Sequence, residues 1–184
     1  GDADLAMFPL VAALIVPDSD VLIENVPMHP ARFAVLTVLE EMGGDIEVRD
    51  RRVAAGEDVA DLRVRHSPLL GLDIDPRGLT AAAVPVLAIA GAFAAGETHL
   101  PRLGLAGETA LHKALADGLA ANGATARAGG DGLRVGRPGA GTRLGGGAVR
   151  TGDNPYLAAA FLVFGLAAAD QVTIDDVGPM NAEF

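Results

Sequence analysis

Three stretches of the chain share one pattern of apolar and polar positions. Each runs from a continuous apolar segment through a short polar turn into alternating positions, which predicts a helix followed by a strand. The stretches are FPLVAALIVPDSDVLIENV, VPVLAIAGAFAAGETHLPRL and AFLVFGLAAADQVTIDDVG. They begin at Phe8, Val84 and Ala160, at a constant spacing of 76 residues. This period is too long for a solenoid and predicts a duplicated unit of several elements.

Between these stretches the pattern predicts a second helix and two further strands. In AGETALHKALADGLAANGA, Leu111, Leu115 and Leu119 recur every four residues, as on one face of an amphipathic helix. Two short strands follow each such helix, DIEVRDRR with VADLRVRHS and ATARAGG with GLRVGR. A glycine-rich turn at 129–132 is typical of a hairpin. We therefore predict an α/β fold of repeated βαβαββ units.

The helices of the shared pattern are apolar nearly all round, which predicts that other elements enclose them. We expect the three helices that start near Phe8, Val84 and Leu157 to pack against one another, with the sheets outside them. In VADLRVRHS, apolar residues alternate with charged ones such as Asp61 and Arg63. This alternation predicts a sheet with one face in solvent.

Composition limits the classes of function. Half of the 184 residues are apolar, enough for a substantial core. The chain has 14 basic and 24 acidic residues and a formal net charge of −10, so we expect no nucleic-acid partner. It has no cysteine, so disulfides and thiolate metal sites are excluded. No apolar run reaches the roughly 20 residues of a membrane span, and no secretory signal is seen, so we expect no membrane association and a cytoplasmic location.

Longer segments carry a resemblance to a known family. PLVAALIVPDSDV, LEEMGGDIEV and GEDVADLRVR, followed by VPVLAIAGAFAAGET and FLVFGLAAADQVTIDD, resemble bacterial EPSP synthases, the 3-phosphoshikimate 1-carboxyvinyltransferases, in order and spacing. The resemblance covers essentially all of the chain. It implies enolpyruvyl transfer from phosphoenolpyruvate to shikimate 3-phosphate in aromatic amino acid biosynthesis, without a metal or organic cofactor. It also implies that residues 1–184 form a single truncated domain, about two repeats plus the start of a third, with the N-terminal half missing.

The chain departs from the family at the catalytic motifs. The family's Asp-Glu pair, its Lys-Glu-Ser-Asp-Arg helix start and its Asp-His-Arg sequence are all changed. The substituted positions are Ala82, Ala83, Gly107, Leu111, Asn154 and Tyr156. Of these motifs only Glu108 is retained, so Glu108 is the one candidate catalytic residue, and the substrate-binding residues are unknown.

Simpler interpretations of the candidate residues are preferred. Glu108 in a first helical turn is stabilised by the helix dipole by about 0.3–1 kcal/mol without any catalytic role. Asn154 followed by Pro155 is typical of a helix start, with the asparagine as the cap. Arg49 and its neighbours in EVRDRR are expected at a solvated hairpin, and the glycine-rich segment RPGAGTRLGGGAVRTGDNP as a flexible loop that lacks the order of a phosphate-binding loop.

The four histidines show no metal-binding spacing, and we expect them at the surface and no metal site. They are His29, His66, His99 and His112.

Three functions remain open. The first is an EPSP synthase-family protein that is inactive as this chain alone, so enzymatic activity is undecided. The second is a non-catalytic domain that binds a metabolite, a protein partner or a second copy of itself through an apolar edge containing Leu111 and Tyr156. The third is an enolpyruvyl transferase acting on a nucleotide sugar, but GEDVADLRVR and the spacing after it favour the shikimate branch.

Overall fold

The computed structural model describes residues 3–28, 33–139, 141–178 and 180. The first repeated unit contains α1 (Ala3–Ile15), β1 (Asp20–Pro27), α2 (Phe33–Glu41), β2 (Asp45–Ala54) and β3 (Glu57–Arg65). The second contains α3 (Ala83–Phe93), β4 (Glu97–Pro101), α4 (Glu108–Ala121), β5 (Thr125–Gly129) and β6 (Gly132–Gly136). A further unit begins with β7 (Ala148–Val149), α5 (Pro155–Ala167) and β8 (Thr173–Ile174).

The sheets of the first two units have the same topology. Their strand orders are β1-β3-β2 and β4-β6-β5, and every neighbouring pair is antiparallel. The segment 69–74 also lies parallel to β4, through bridges between Leu70 and Ala95 and between Asp73 and His99. In the further unit β7 pairs in parallel with β8. The predicted α/β fold of repeated βαβαββ units is thereby confirmed, and the glycine-rich segment predicted as a loop contains the short strand β7.

The helices α1, α3 and α5 lie inside and contact one another, as the apolar pattern predicts. Residues Ala83 to Ala92 of α3 are all buried. The ring centroids of Phe93 in α3 and Phe164 in α5 are 5.2 Å apart, and Phe161 is also fully buried. The three-helix core therefore follows from helices that have no polar face to present to water.

One face of α5 is less covered than the rest of the inner helices, since its Leu162 and Leu166 are 45% and 65% exposed. The residues 152 positions earlier, Leu10 and Leu14 of α1, are 2% and 0% exposed. Leu14 lies against Gly44, at the junction of α2 and β2. Among the described residues, no second helix and strand pair follow α5 as they follow α1 and α3.

The outer faces of the sheets carry ion pairs. Arg63 makes two hydrogen bonds to Asp20, at 2.8 and 2.6 Å, across the pair of strands β1 and β3. The prediction that Asp61 lies on the solvent face is wrong, because Asp61 is only 7% exposed. Arg52 and the backbone N–H of Asn25 donate to its carboxylate at 2.7 and 2.8 Å, and these bonds lower its pKa. None of the described helices has the length and apolar character required to cross a membrane.

Candidate functional site

The candidate site lies at the N-terminus of α4. Gly107 precedes the helix in a left-handed conformation, with φ of 78°, and makes no side-chain cap. A glycine adopts this conformation without steric cost, so the chain turns sharply into the helix. Glu108, the first helical residue, is therefore directed back towards the preceding loop, where it is only 5% exposed.

Both carboxylate oxygens of Glu108 accept hydrogen bonds from that loop. Its Oε1 accepts from the backbone N–H of Leu103, and its Oε2 accepts from the N–H of Gly104 at 3.1 Å and from Nε of Arg102 at 3.4 Å. Burial raises the pKa of Glu108, but the hydrogen bonds from Leu103, Gly104 and Arg102 outweigh it and hold the pKa below its usual value. Glu108 is thus an ionised acceptor at neutral pH that joins the loop to the helix.

Sequence reasoning missed these partners of Glu108. Two of them are backbone N–H groups, which have no side-chain signature, and the third, Arg102, lies in a loop. The signal that could have indicated them is the pair of glycines, Gly104 and Gly107, because two residues with positive φ bend the segment back on itself.

His112 lies one turn further along α4 and is 3% exposed, so the expectation that it lies at the surface is wrong. Its Nε2 is 3.9 Å from Oε1 of Glu108 and has no hydrogen-bond partner in the described part of the chain. Burial lowers the pKa of His112, while the Glu108 carboxylate opposes this effect. The helical period could have indicated burial, because position 112 shares the inward face with Leu115 and Leu119.

The other histidines differ in their exposure. His66 is exposed, as predicted. His99 is partly buried, with its side chain 17% exposed and 3.3 Å from a carboxylate oxygen of Asp73, which departs from the predicted surface position. His29 lies outside the described residues.

A cavity of about 200 Å³ lies beside Glu108, where the N-terminal ends of α3, α4 and α5 approach one another. Its walls are mainly apolar and include Val84, Leu103, Leu105 and Leu111. No lysine, arginine or histidine of the described residues lines it. Such a cavity has no cationic group to bind a phosphate or carboxylate.

The structure brings together most of the residue positions predicted from the sequence. Gly107, Glu108, Leu111 and Asn154 line this one cavity. The side-chain oxygen of Asn154 accepts a hydrogen bond from the N–H of Leu157 at 3.0 Å, so Asn154 caps α5 as predicted and its acceptor is engaged.

Three substituted positions are not among the lining residues. Ala82 and Ala83 lie at the start of α3, between Ala81 and Val84, which both line the cavity. Tyr156 is stacked on Phe8, with ring centroids 6.4 Å apart and an interplanar angle of 18°. Tyr156 therefore takes part in aromatic packing at a position where the family resemblance implies a charged group.

A larger cavity, of about 600 Å³, lies at the opposite ends of the inner helices. It is lined by Ile15, Phe93 and Ala167 from the C-terminal ends of α1, α3 and α5, together with His66 and Arg137. None of the positions that the sequence singles out as catalytic or substituted lies there. The smaller cavity is therefore the candidate site despite its size.

Inner helices flanked by outward-facing sheets, with a site at the helix N-termini, define an enolpyruvyl transferase fold. EPSP synthase from Acinetobacter baumannii superposes with a TM-score of 0.88 at 29% identity, covering 98% of this chain and 42% of that one. The enolpyruvyl transferase NikO from Streptomyces tendae superposes with a TM-score of 0.67 over 97% of this chain and 39% of that one, and at 21% identity shares the fold alone.

The sequence comparisons identify the family. The family model of EPSP synthase (3-phosphoshikimate 1-carboxyvinyltransferase) matches residues 1–184, and the chain belongs to this family. The 3-phosphoshikimate 1-carboxyvinyltransferase of Chelativorans sp. strain BNC1 is 47% identical over 192 residues, which cover 100% of this chain and 42% of that protein. That of Brucella canis is 49% identical over 181 residues, covering 96% and 40%. The chain thus spans about 40% of the length of these relatives.

Proposed function

We propose that this chain is an EPSP synthase-family domain that does not catalyse enolpyruvyl transfer by itself. The observation that carries the proposal is that the carboxylate of Glu108 is engaged in hydrogen bonds within the chain. Both of its oxygens already accept hydrogen bonds from residues 102–104, so the carboxylate has a structural role in fixing this loop. A proton-transferring group must instead reach the substrate within hydrogen-bond distance.

The substituted positions support the same proposal. The family resemblance assigns Asp to position 82, Lys to 107 and Arg to 111 and 156, where this chain has Ala82, Gly107, Leu111 and Tyr156. Attack by the substrate hydroxyl requires a base, and two polyanionic substrates require cations. Because groups of this kind act as a unit, the loss of several leaves little residual catalysis.

The test is a calorimetric titration with phosphoenolpyruvate and shikimate 3-phosphate, singly and together, followed by a phosphate-release assay. We expect no binding heat and no phosphate above a no-protein control, with the A. baumannii EPSP synthase as the positive control. A matched variant, Leu111→Arg, restores a cation beside the cavity without altering the glycine turn and should gain binding of phosphoenolpyruvate. Phosphate release by the unmodified chain that depends on both substrates would refute the proposal.

A second candidate function is a contact with another protein or a second copy through the edge of the cavity. Leu105 at this edge is 44% exposed, and Leu111 and Tyr156 are partly exposed. Exposed apolar area of this kind favours a protein contact. Because the family is one of biosynthetic enzymes, we infer that the contact would be made in the cytoplasm.

Sedimentation over a wide concentration range tests this second candidate. Leu111→Asp and Tyr156→Asp should each weaken any self-association. A protein that stays monomeric, in which both substitutions leave association and stability unchanged, would exclude the interaction edge.

A further inference from the structure

The larger cavity, of about 600 Å³, lies where the three inner helices end. We call it the distal cavity, because it lies at the helix ends away from the candidate site. Its walls come from the connections of α1 to β1, of β3 to α3, of α3 to β4 and of β6 to β7, together with the end of α5. Each of these walls therefore joins two described elements of the repeated units.

Most of the lining of the distal cavity is apolar. Ile15, Phe93 and Ala167 are the last residues of α1, α3 and α5, and Pro17 and Pro68 line the same space. Cavities that bind small molecules are typically about 300–1,000 Å³ in volume and mainly apolar, with a few polar groups that fix the ligand. The distal cavity meets the conditions of size and lining, so the body of a ligand should be apolar.

Three of the described lining residues have polar side chains, and they are His66, Ser67 and Arg137. Ser67 is already engaged, because its hydroxyl accepts from the N–H of Asp45 at 3.0 Å and donates to the carbonyl of Arg65 at 3.4 Å. No aspartate or glutamate of the described residues lines the cavity. The permanent charge that the lining offers to a ligand is therefore the cation of Arg137.

Arg137 differs from its neighbour on the same connection between β6 and β7. Arg143 forms an ion pair with Asp170 at 2.9 Å. Arg137 is exposed and donates through Nη2 to the carbonyl of Thr142 at 3.3 Å, but among the described residues it forms no ion pair. The chain has 24 acidic and 14 basic residues, so carboxylates are plentiful elsewhere. An arginine without one, beside an apolar cavity, favours a ligand that supplies the carboxylate.

The helix ends determine where that carboxylate can lie. The last carbonyls of a helix have no partner within it, and each C-terminus carries about half a negative charge. None of α1, α3 and α5 has a basic residue in its last turn to offset this charge. A carboxylate is therefore disfavoured over the helix ends and favoured at Arg137, and the apolar body of the ligand should cover the helix ends.

We propose that the distal cavity binds an apolar monocarboxylate, with the carboxylate paired to Arg137 and the apolar body against Pro17, Pro68 and Phe93. An aromatic body suits this wall, because rings pack well against the ring of a phenylalanine. The distal cavity shares no lining residue with the candidate site, so this binding does not depend on the proposed function.

The probe is 2-naphthoate, titrated into the isotope-labelled chain at neutral pH and followed by two-dimensional NMR. Saturable shifts should appear at the amides of Ala95, Gly96 and Gly139, which line the cavity. The amides of Glu108 and Leu111 at the candidate site should stay unchanged. A ligand of about 13 heavy atoms supports a dissociation constant of about 1 mM or below.

Three further probes separate the parts of the ligand. 2-Naphthamide keeps the ring without the charge and should bind about fivefold more weakly or worse. Acetate keeps the carboxylate without the ring and should cause no saturable shift at the same concentration. 2-Naphthylmethylamine, which is protonated at neutral pH, should bind no better than the amide, because Arg137 repels it. Binding of acetate equal to that of 2-naphthoate, or tighter binding of the amine, would overturn the proposal.

Two variants test the role of Arg137. Arg137→Gln should lower the affinity for 2-naphthoate to that for 2-naphthamide, and it should leave the affinity for 2-naphthamide unchanged. Arg150→Gln is the matched control, because Arg150 is exposed and does not line the cavity. Both positions are exposed, so both variants should keep the fold. Absence of saturable shifts, shifts centred on the candidate site, or equal loss of affinity in the two variants would also overturn the proposal.

Discussion

Glu108→Gln separates a structural role of this residue from a catalytic one. The amide keeps the size of the side chain, but it offers only one acceptor oxygen and places an NH₂ against a backbone donor. Of the two N–H groups from Leu103 and Gly104, one therefore loses its partner and the other exchanges a charged acceptor for a neutral one. Because the Glu108 side chain is only 3% exposed, water has little access to replace the lost bond.

The magnitude follows from these two losses. An unsatisfied buried donor costs about 1–3 kcal/mol, and exchanging a charged for a neutral acceptor costs about 1 kcal/mol more. Arg102 adds little, since its side chain is 42% exposed and its bond is long. We expect Glu108→Gln to lower the free energy of unfolding by about 2–4 kcal/mol. With a urea m-value of about 2 kcal/mol/M, the midpoint should fall by about 1–2 M.

The assay is urea unfolding at neutral pH, followed by circular dichroism. Asp117→Asn is the control on the same helix, because Asp117 is exposed and, among the described residues, its carboxylate forms a single ion pair, with Lys113 at 2.5 Å. This substitution should cost no more than about 0.5 kcal/mol. The pKa of Glu108 is lowered by folding, so its stabilisation is complete above the unfolded pKa near 4.5 and is lost as the pH falls through the lower folded value. If Glu108→Gln were no more destabilising than Asp117→Asn, the carboxylate would not be holding the loop and would be available for chemistry.

Three other substitutions test the packing around this site. Gly118→Ala should lower the free energy of unfolding by about 1–3 kcal/mol in urea, because the added Cβ would lie 2.6 Å from Cζ of Phe161. Adding Phe161→Leu to this variant should recover part of that loss, and strictly additive effects would argue against the contact. His112→Leu should remove a fall in stability that we expect of the unmodified chain below about pH 6.5, because the lowered pKa of His112 makes protonation favour the unfolded state. An unchanged pH slope would show that another group titrates. Asn154→Ala should cost about 1 kcal/mol by thermal unfolding through loss of the bond to Leu157, whereas Asn154→Asp keeps the cap, and equal losses would exclude capping.

The repeated unit and the inner helices could be predicted from the sequence because burial of apolar residues determines both. A helix such as α3, apolar on every side, has no stable place except between other elements, and a repeat of 76 residues requires equivalent packing in each copy. The hairpin between β5 and β6 was predictable for a local reason, since its turn is glycine-rich. These signals lie within short stretches of the chain.

The features that sequence reasoning missed depend on contacts between distant segments. The segment 69–74 joins β4 through backbone groups, which leave no mark on the order of side chains. Asp61 is buried because Arg52 and Asn25 lie against it, and no periodicity of β3 predicts that. At the candidate site, Glu108 was identified from family resemblance, but its three hydrogen-bond donors were visible only once the loop was folded.

The helix α4 shows why a fold persists while the charges of its site differ. Its inward residues Leu115 and Leu119 are fully buried, and truncating such a leucine costs about 2–5 kcal/mol, a large part of a domain's stability. Leu111 is only partly buried, and a substitution at such a surface position changes stability by about 0.5 kcal/mol or less, whereas the positive φ of Gly107 favours glycine there. Folding therefore strongly constrains the packing face and hardly constrains the charge at position 111. A cation at position 111, which the family resemblance implies, would be maintained by anion binding and not by folding, whereas glycine at position 107 suits the left-handed backbone there.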